Sequence, residues 1–155
     1  MKKIFLFIIP IIFINFNFSI YSDAIRDRKI KAEKLVKNAI KLIEKEGLEA
    51  AVPKFHDKTG EFIDGEYYIF IVDFNGITLA HGGNQALVGK NMLELKDPDG
   101  VYFIKEFIKI AKEKTKGWVN YKWPNPQTNK IERKSSYIQS IPGSNYFIGC
   151  GIYLE

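Results

Sequence analysis

A change of period between residues 66 and 81 restricts this fold more than any other feature. Residues 67–74 are rich in aromatic and β-branched types, Asn75-Gly76 follows, and residues 77–81 resume the same character. Asn-Gly supplies the backbone conformation that a tight turn between twisted strands needs, so the pattern predicts an antiparallel hairpin. Asp73 stands where its side chain can organise that turn.

The flanking segments read differently. In residues 24–46, Ala32, Leu35, Val36, Ala39, Ile40 and Ile43 recur at helical spacing, with Lys and Glu on the other side and Gly47 as the stop. Residues 48–55 read as a short second helix limited by Pro53. Gly82-Gly83-Asn84 breaks the chain after the hairpin, and Asp97-Pro98-Asp99-Gly100 is a turn. Residues 101–116 read as a helix with Ile104, Phe107, Ile108 and Ala111 on one face, stopped by Gly117. Strands are expected at 118–123, 131–141 and 146–154, separated by Pro124-Asn125-Pro126 and Pro142-Gly143-Ser144-Asn145. Helix, helix, hairpin, helix and meander make an α+β domain, with an antiparallel sheet of about five strands, a long N-terminal helix and covering helices.

The first 22 residues have the layout of a signal peptide. Lys2 and Lys3 precede an apolar run from Ile4 to Phe18, and Ser22 and Ala24 place small residues at a cleavage site. Cleavage with loss of about 22–24 residues would deliver residues 23–155 to the periplasm or medium. The alternative is an uncleaved anchor over residues 4–21, since about 18 apolar residues can just span a bilayer. Beyond the leader, 133 of the 155 residues remain, enough for one core. Losing Lys2 and Lys3 lowers the net charge from +5 to +3. That is too weak to indicate nucleic-acid binding. The lysines of residues 105–116 are interrupted by two glutamates and read as a solvated helix face.

Cys150 is the single cysteine, so no intramolecular disulfide can form; its apolar surroundings in sequence read as a buried, inert thiol. His56 and His81 are the only histidines and show no metal-ligand spacing. No nucleophile elbow, P-loop or dinucleotide fingerprint is present, so neither catalysis nor a cofactor is expected.

The runs Gly60 to Phe70, Asp73 to His81, Leu87 to Asn91, Leu95 to Gly100, Gly117 to Pro126, Lys134 to Tyr137 and Ile148 to Tyr153 are together similar to the single Cache domain family, in its order and over residues 30–154. The resemblance implies a PAS-like extracytoplasmic sensory fold that binds small ligands, often short monocarboxylates, between the sheet and its covering segments. The family usually carries His-Pro where this chain has His81-Gly82. Its members are commonly the outer part of membrane receptors or histidine kinases. This chain shows neither a second apolar segment nor a signalling domain, so a freestanding domain with a separate membrane receptor or kinase partner is expected.

A small carboxylate needs a fixed cation or several donors, and walls that exclude water. Lys134 and Ser136 share a strand face, Tyr121 and Trp123 share another, Tyr68 and Phe70 a third, and His81 ends the hairpin beside a glycine-rich break. The expected ligand-binding set is Tyr68, His81, Tyr121, Trp123, Lys134 and Ser136. Each also has a plain reading as a core or solvated residue. The leading function is therefore a periplasmic binding or sensory domain for a two- to four-carbon acid. The alternatives are an envelope structural or interaction domain with a degenerate pocket, and a membrane-tethered regulator held by an uncleaved N-terminal anchor. Whether the domain dimerises through its first helix is open at this level.

Overall fold

The computed structural model describes residues 11–154. Helix α1 (Ile11–Glu46) buries Ala32, Val36, Ala39, Ile40 and Ile43, the expected apolar stripe, and ends at Gly47 with φ 87°. Of the anticipated leader, residues 1–10 lie outside the described residues, and residues 11–22 run within α1, which therefore starts well before residue 24. Among the described residues, no helix is long and apolar enough to cross a membrane. Helix α2 (Leu48–His56) contains Pro53 rather than being limited by it. The proline removes one backbone donor, but Ala51 and Phe55 are fully buried and hold the short helix in place.

The hairpin forms as the sequence predicts. Strands β3 (Phe70–Asp73) and β4 (Thr78–His81) pair antiparallel, with Phe70 opposite His81 and Ile71 opposite Ala80. The Asp73 carboxylate accepts the Asn75 N–H at 2.9 Å and the Ile77 N–H at 2.7 Å, and Gly76 takes φ 86°. The expected single strand over residues 67–74 is divided, however. Its first part, β2 (Tyr67–Tyr68), pairs with β1 (Ile63–Asp64) in a separate ribbon, because Gly65 at φ 61° turns the chain back on itself there.

The main sheet has five antiparallel strands in the order β4-β3-β7-β6-β5, with β5 (Lys116–Pro124), β6 (Ile131–Ser140) and β7 (Tyr146–Tyr153). Helix α3 (Phe103–Glu113) is shorter than residues 101–116. Thr115 at φ 66° turns the chain, and Lys116 already pairs with Gln139. Gly117 is thus inside β5, where an added Cβ would lie 3.0 Å from Ile110 Cγ2; it lets α3 approach the strand instead of ending the helix.

Each sheet face carries its own core. Helices α1 and α2 cover Ile69, Ile71, Tyr137, Ile148, Cys150 and Ile152. Helix α3 and the segment before it cover Tyr68, Phe70, Val72, Tyr121, Ile138 and Phe147. Strand alternation divides β6 accordingly: Ser135 and Tyr137 face α1, while Lys134, Ser136 and Ile138 face α3. Cys150 lies on the helical side, fully buried, its thiol pushed up to about 12 by desolvation.

Asp97 ties the segment before α3 to the sheet. One carboxylate oxygen accepts the Asp99 and Val101 N–H groups at 2.9 and 2.8 Å, and the other accepts the Lys122 N–H of β5 at 2.8 Å. Asp97→Ala should cost at least about 2 kcal/mol, because several backbone donors lose a charged acceptor together. Urea denaturation would measure the loss, and a change below about 0.5 kcal/mol would contradict this role for Asp97.

Candidate ligand-binding site

All six residues expected to form a site lie on the α3 side of the sheet. Strand register sets the arrangement. Tyr121 of β5 is opposite Lys134 of β6, and Lys134 is opposite Tyr153 of β7. Gly151 faces Ser136, and a Cβ there would collide with Lys134 Cε and Ser136 Oγ. Gly149 does the same for the Phe70 ring. The two glycines keep the sheet surface flush, so the lysine stem and the phenyl ring lie flat on it.

Lys134 is fully buried. Its Nζ donates to the Tyr68 hydroxyl at 2.5 Å and the Tyr153 hydroxyl at 3.3 Å, and stands 3.9 Å from the Tyr68 ring centroid. The Tyr153 hydroxyl in turn donates a hydrogen bond to the Pro124 carbonyl at 2.6 Å. Among the described residues no carboxylate is within ion-pair distance of Lys134. Desolvation pushes the ammonium down to about 7. Tyr121 and Ser136 share a hydrogen bond of 3.0 Å, and burial raises the Tyr68, Tyr121 and Tyr153 phenols above their ordinary value.

His81 occupies the centre of the rings, with centroids 5.0 Å from Tyr68 and 6.1 Å from both Phe70 and Trp123. Its Nδ1 accepts the Asn84 N–H at 3.0 Å, which leaves Nε2 as the protonated nitrogen. Burial and the charge of Lys134 push the imidazole down to about 3, so it is a neutral donor at ordinary pH. The His81 backbone N–H donates to His56 Nε2 at 3.1 Å.

Two cavities meet at His81 and Trp123. The inner one, about 20 Å³, is walled by Phe70, Met92, Phe103, Phe107 and Tyr121. The outer one, about 180 Å³, is lined by Tyr68, Gly83, Asn84, Pro124, Asn125 and Asn129. Lys134 lines neither, because the Tyr68 and Tyr153 rings cover it. The structure therefore gathers the predicted residues but screens the cation from open space.

Sequence reasoning missed Tyr153, the second phenol on Lys134, and the α3 rings Phe103 and Phe107. Alternation was the available sign for Tyr153, since Gly149, Gly151 and Tyr153 occupy every second position of β7. Phe103 and Phe107 are four apart on α3; the first stacks on Tyr121 at 4.7 Å between centroids and the second meets it edge-to-face at 5.3 Å.

The buried ammonium has a consequence for stability. Its folded value lies below the unfolded one, so the unfolded chain binds the extra proton between about pH 10.5 and 7, and stability rises with pH through that window. Lys134→Met should melt above the parent at pH 6, with the gap closing towards pH 10. Thermal melts at both values would show it, and a gap independent of pH would contradict the assigned burial.

The comparisons with known proteins bear on the family and the fold. The model of the Cache domain family matches residues 18–155. The methyl-accepting chemotaxis protein McpP of Pseudomonas putida is 32% identical over 92 residues, 59% of this chain and 17% of that protein. The sensor histidine kinase MctS of Rhizobium johnstonii is 36% identical over 88 residues, 57% of this chain and 19% of that protein. The match thus spans less than a fifth of each relative's length. Among solved structures, a methyl-accepting chemotaxis protein from Vibrio parahaemolyticus superposes with a TM-score of 0.76 at 22% identity, covering 87% of this chain and 94% of that one. A Cache chemosensory domain, solved for the structural basis of carboxylic acid recognition, gives 0.72 at 25% identity, covering 86% and 98%.

Proposed function

The chain belongs to the Cache domain family, and we propose that it acts as an extracytoplasmic sensor whose Lys134 site binds a short monocarboxylate and reports to a membrane-bound receptor or kinase. The observation that carries this reading is the buried Lys134 ammonium, which has neutral phenols where a counter-ion would be. An isolated buried cation is costly, and a carboxylate is the ligand that offsets that cost most directly. His81 Nε2–H supplies a neutral donor, Ser136 and Tyr121 supply hydroxyls, and the rings of Trp123, Phe103 and Phe107 wall an apolar cavity of only about 20 Å³, which favours a short alkyl tail over a long one. The acid-recognising Cache domain among the structural neighbours supports the same ligand class.

One observation favours the alternative of an envelope domain with a degenerate pocket. Lys134 lines neither cavity, so an acid would reach it only after Tyr68 or Tyr153 moves. Calorimetric titration with acetate, propionate, lactate and pyruvate separates the two readings. The parent should bind at least one acid at millimolar concentration or below, and Lys134→Met should weaken it by at least about tenfold, about 1.4 kcal/mol. Binding should also weaken above about pH 7, by up to about tenfold per pH unit, because the free ammonium must then take up a proton. A parent that binds none of these acids would leave the degenerate-pocket reading in place.

A further inference from the structure

Behind the candidate site, α1, the β1–β2 turn and the end of β7 meet at one ion pair. Arg28 of α1 grips Glu66 with two hydrogen bonds, Nε to Oε1 at 2.9 Å and Nη2 to Oε2 at 2.6 Å. The same Nη2 donates to the Tyr153 carbonyl at 2.5 Å, and Glu66 Oε2 accepts the Tyr153 N–H at 2.9 Å. Both side chains are largely covered, 29% and 13% exposed. Tyr153 is one of the two phenols on Lys134, and Tyr68, the other, follows Glu66 by two residues. Glu66 thus holds the backbone of Tyr153 directly and sits beside the strand that carries Tyr68.

We propose that Glu66 is a positioning residue for the Lys134 ammonium, and that Arg28 makes its influence depend on where helix α1 sits. This rests on the reading of Lys134 as the acid-binding cation. The groups that face Lys134 are Tyr68 of β2, Tyr121 of β5, Tyr153 of β7 and His81 of β4, and the Cys150 thiol of β7 lies on the opposite side of the sheet. At pH 7 all are neutral, the phenols and thiol raised by burial and the imidazole lowered. Glu66 is then the carboxylate whose charge favours the ammonium from behind the phenols. Arg28 offsets part of that charge while it holds the pair together. A displacement of α1 that loosens Arg28 strengthens the field of Glu66 on Lys134 and with it the hold on an anion. Linkage makes the effect reciprocal: an acid on Lys134 biases the position of α1.

The test reads Lys134 directly. Its titration midpoint can be followed by NMR of side-chain-labelled lysine in the parent, Glu66→Gln, Arg28→Gln and Arg28→Lys. Glu66→Gln should lower the midpoint and Arg28→Gln should raise it, whereas Arg28→Lys, which keeps the charge, should stay near the parent. Equal midpoints in all four, or shifts of one sign in both glutamine variants, would overturn the proposal, since a purely structural clasp gives no such opposition. If Glu66→Gln does not fold, the two Arg28 variants decide alone: the glutamine must raise the midpoint and the lysine must not. At pH 8 propionate affinity should follow, about threefold weaker in Glu66→Gln for a half-unit drop and stronger in Arg28→Gln. A parent that binds no acid removes the ligand reading, while the midpoints still decide the role of Glu66.

Discussion

The structure on the α3 side of the sheet is organised around one cation held out of water without a counter-ion. Burying an ammonium costs several kcal/mol, and the phenols of Tyr68 and Tyr153 offset only part of it. The surroundings make sense as the conditions for keeping it there. Glycine at 151 gives the lysine stem a flat bed, and the register of β5, β6 and β7 aligns Tyr121, Lys134 and Tyr153 in one row. Phe103 and Phe107 of α3 pack on Tyr121 at one end of that row. A protein that needed only a stable core would put an apolar residue at 134.

The sheet is a thin partition between two cores, and adjacent residues of β6 belong to different ones. Lys134 faces the ring cluster, while Ser135 faces α1. Its Oγ is the buried side-chain polar atom that lacks a hydrogen-bond partner among the described residues. The α1 face is otherwise closely apolar, built from alanines on the helix and from Ile148, Cys150 and Ile152 on the strand. Small side chains at Ala32 and Ala39 bring the helix near the sheet, so a shift on one side of the partition has little slack to absorb it on the other.

Much of this was legible in the sequence, and for identifiable reasons. Asn75-Gly76 between β-rich runs gave the hairpin, the helical spacing of Ala32 to Ile43 gave the buried stripe of α1, and the proline- and glycine-marked turns gave the meander. These are local signals, and local chemistry decides them. Tyr68, His81, Tyr121, Trp123, Lys134 and Ser136 came from alternation together with a family resemblance, and strand alternation brings them to one face. What local pattern could not show was the distance between faces. The break that makes Tyr67–Tyr68 a separate strand depends on pairing with Ile63–Asp64. The true end of α3 depends on Lys116 finding Gln139. The cover over Lys134 depends on Tyr153, 19 residues away. Each is a long-range outcome that no window of sequence contains.

The cover over Lys134 also governs time. Because the ammonium borders neither cavity, entry of the proposed acid would require a ring to swing aside first, and only the open form would admit it. Observed affinity is then the intrinsic affinity reduced by the open fraction. Association proceeds no faster than the aromatic gate opens, and the approach to equilibrium levels off as acid concentration rises instead of climbing in proportion. The same gate would close behind the proposed acid and lengthen its residence. A sensor built this way would average over rapid fluctuations in acid concentration and respond to the level sustained across many openings.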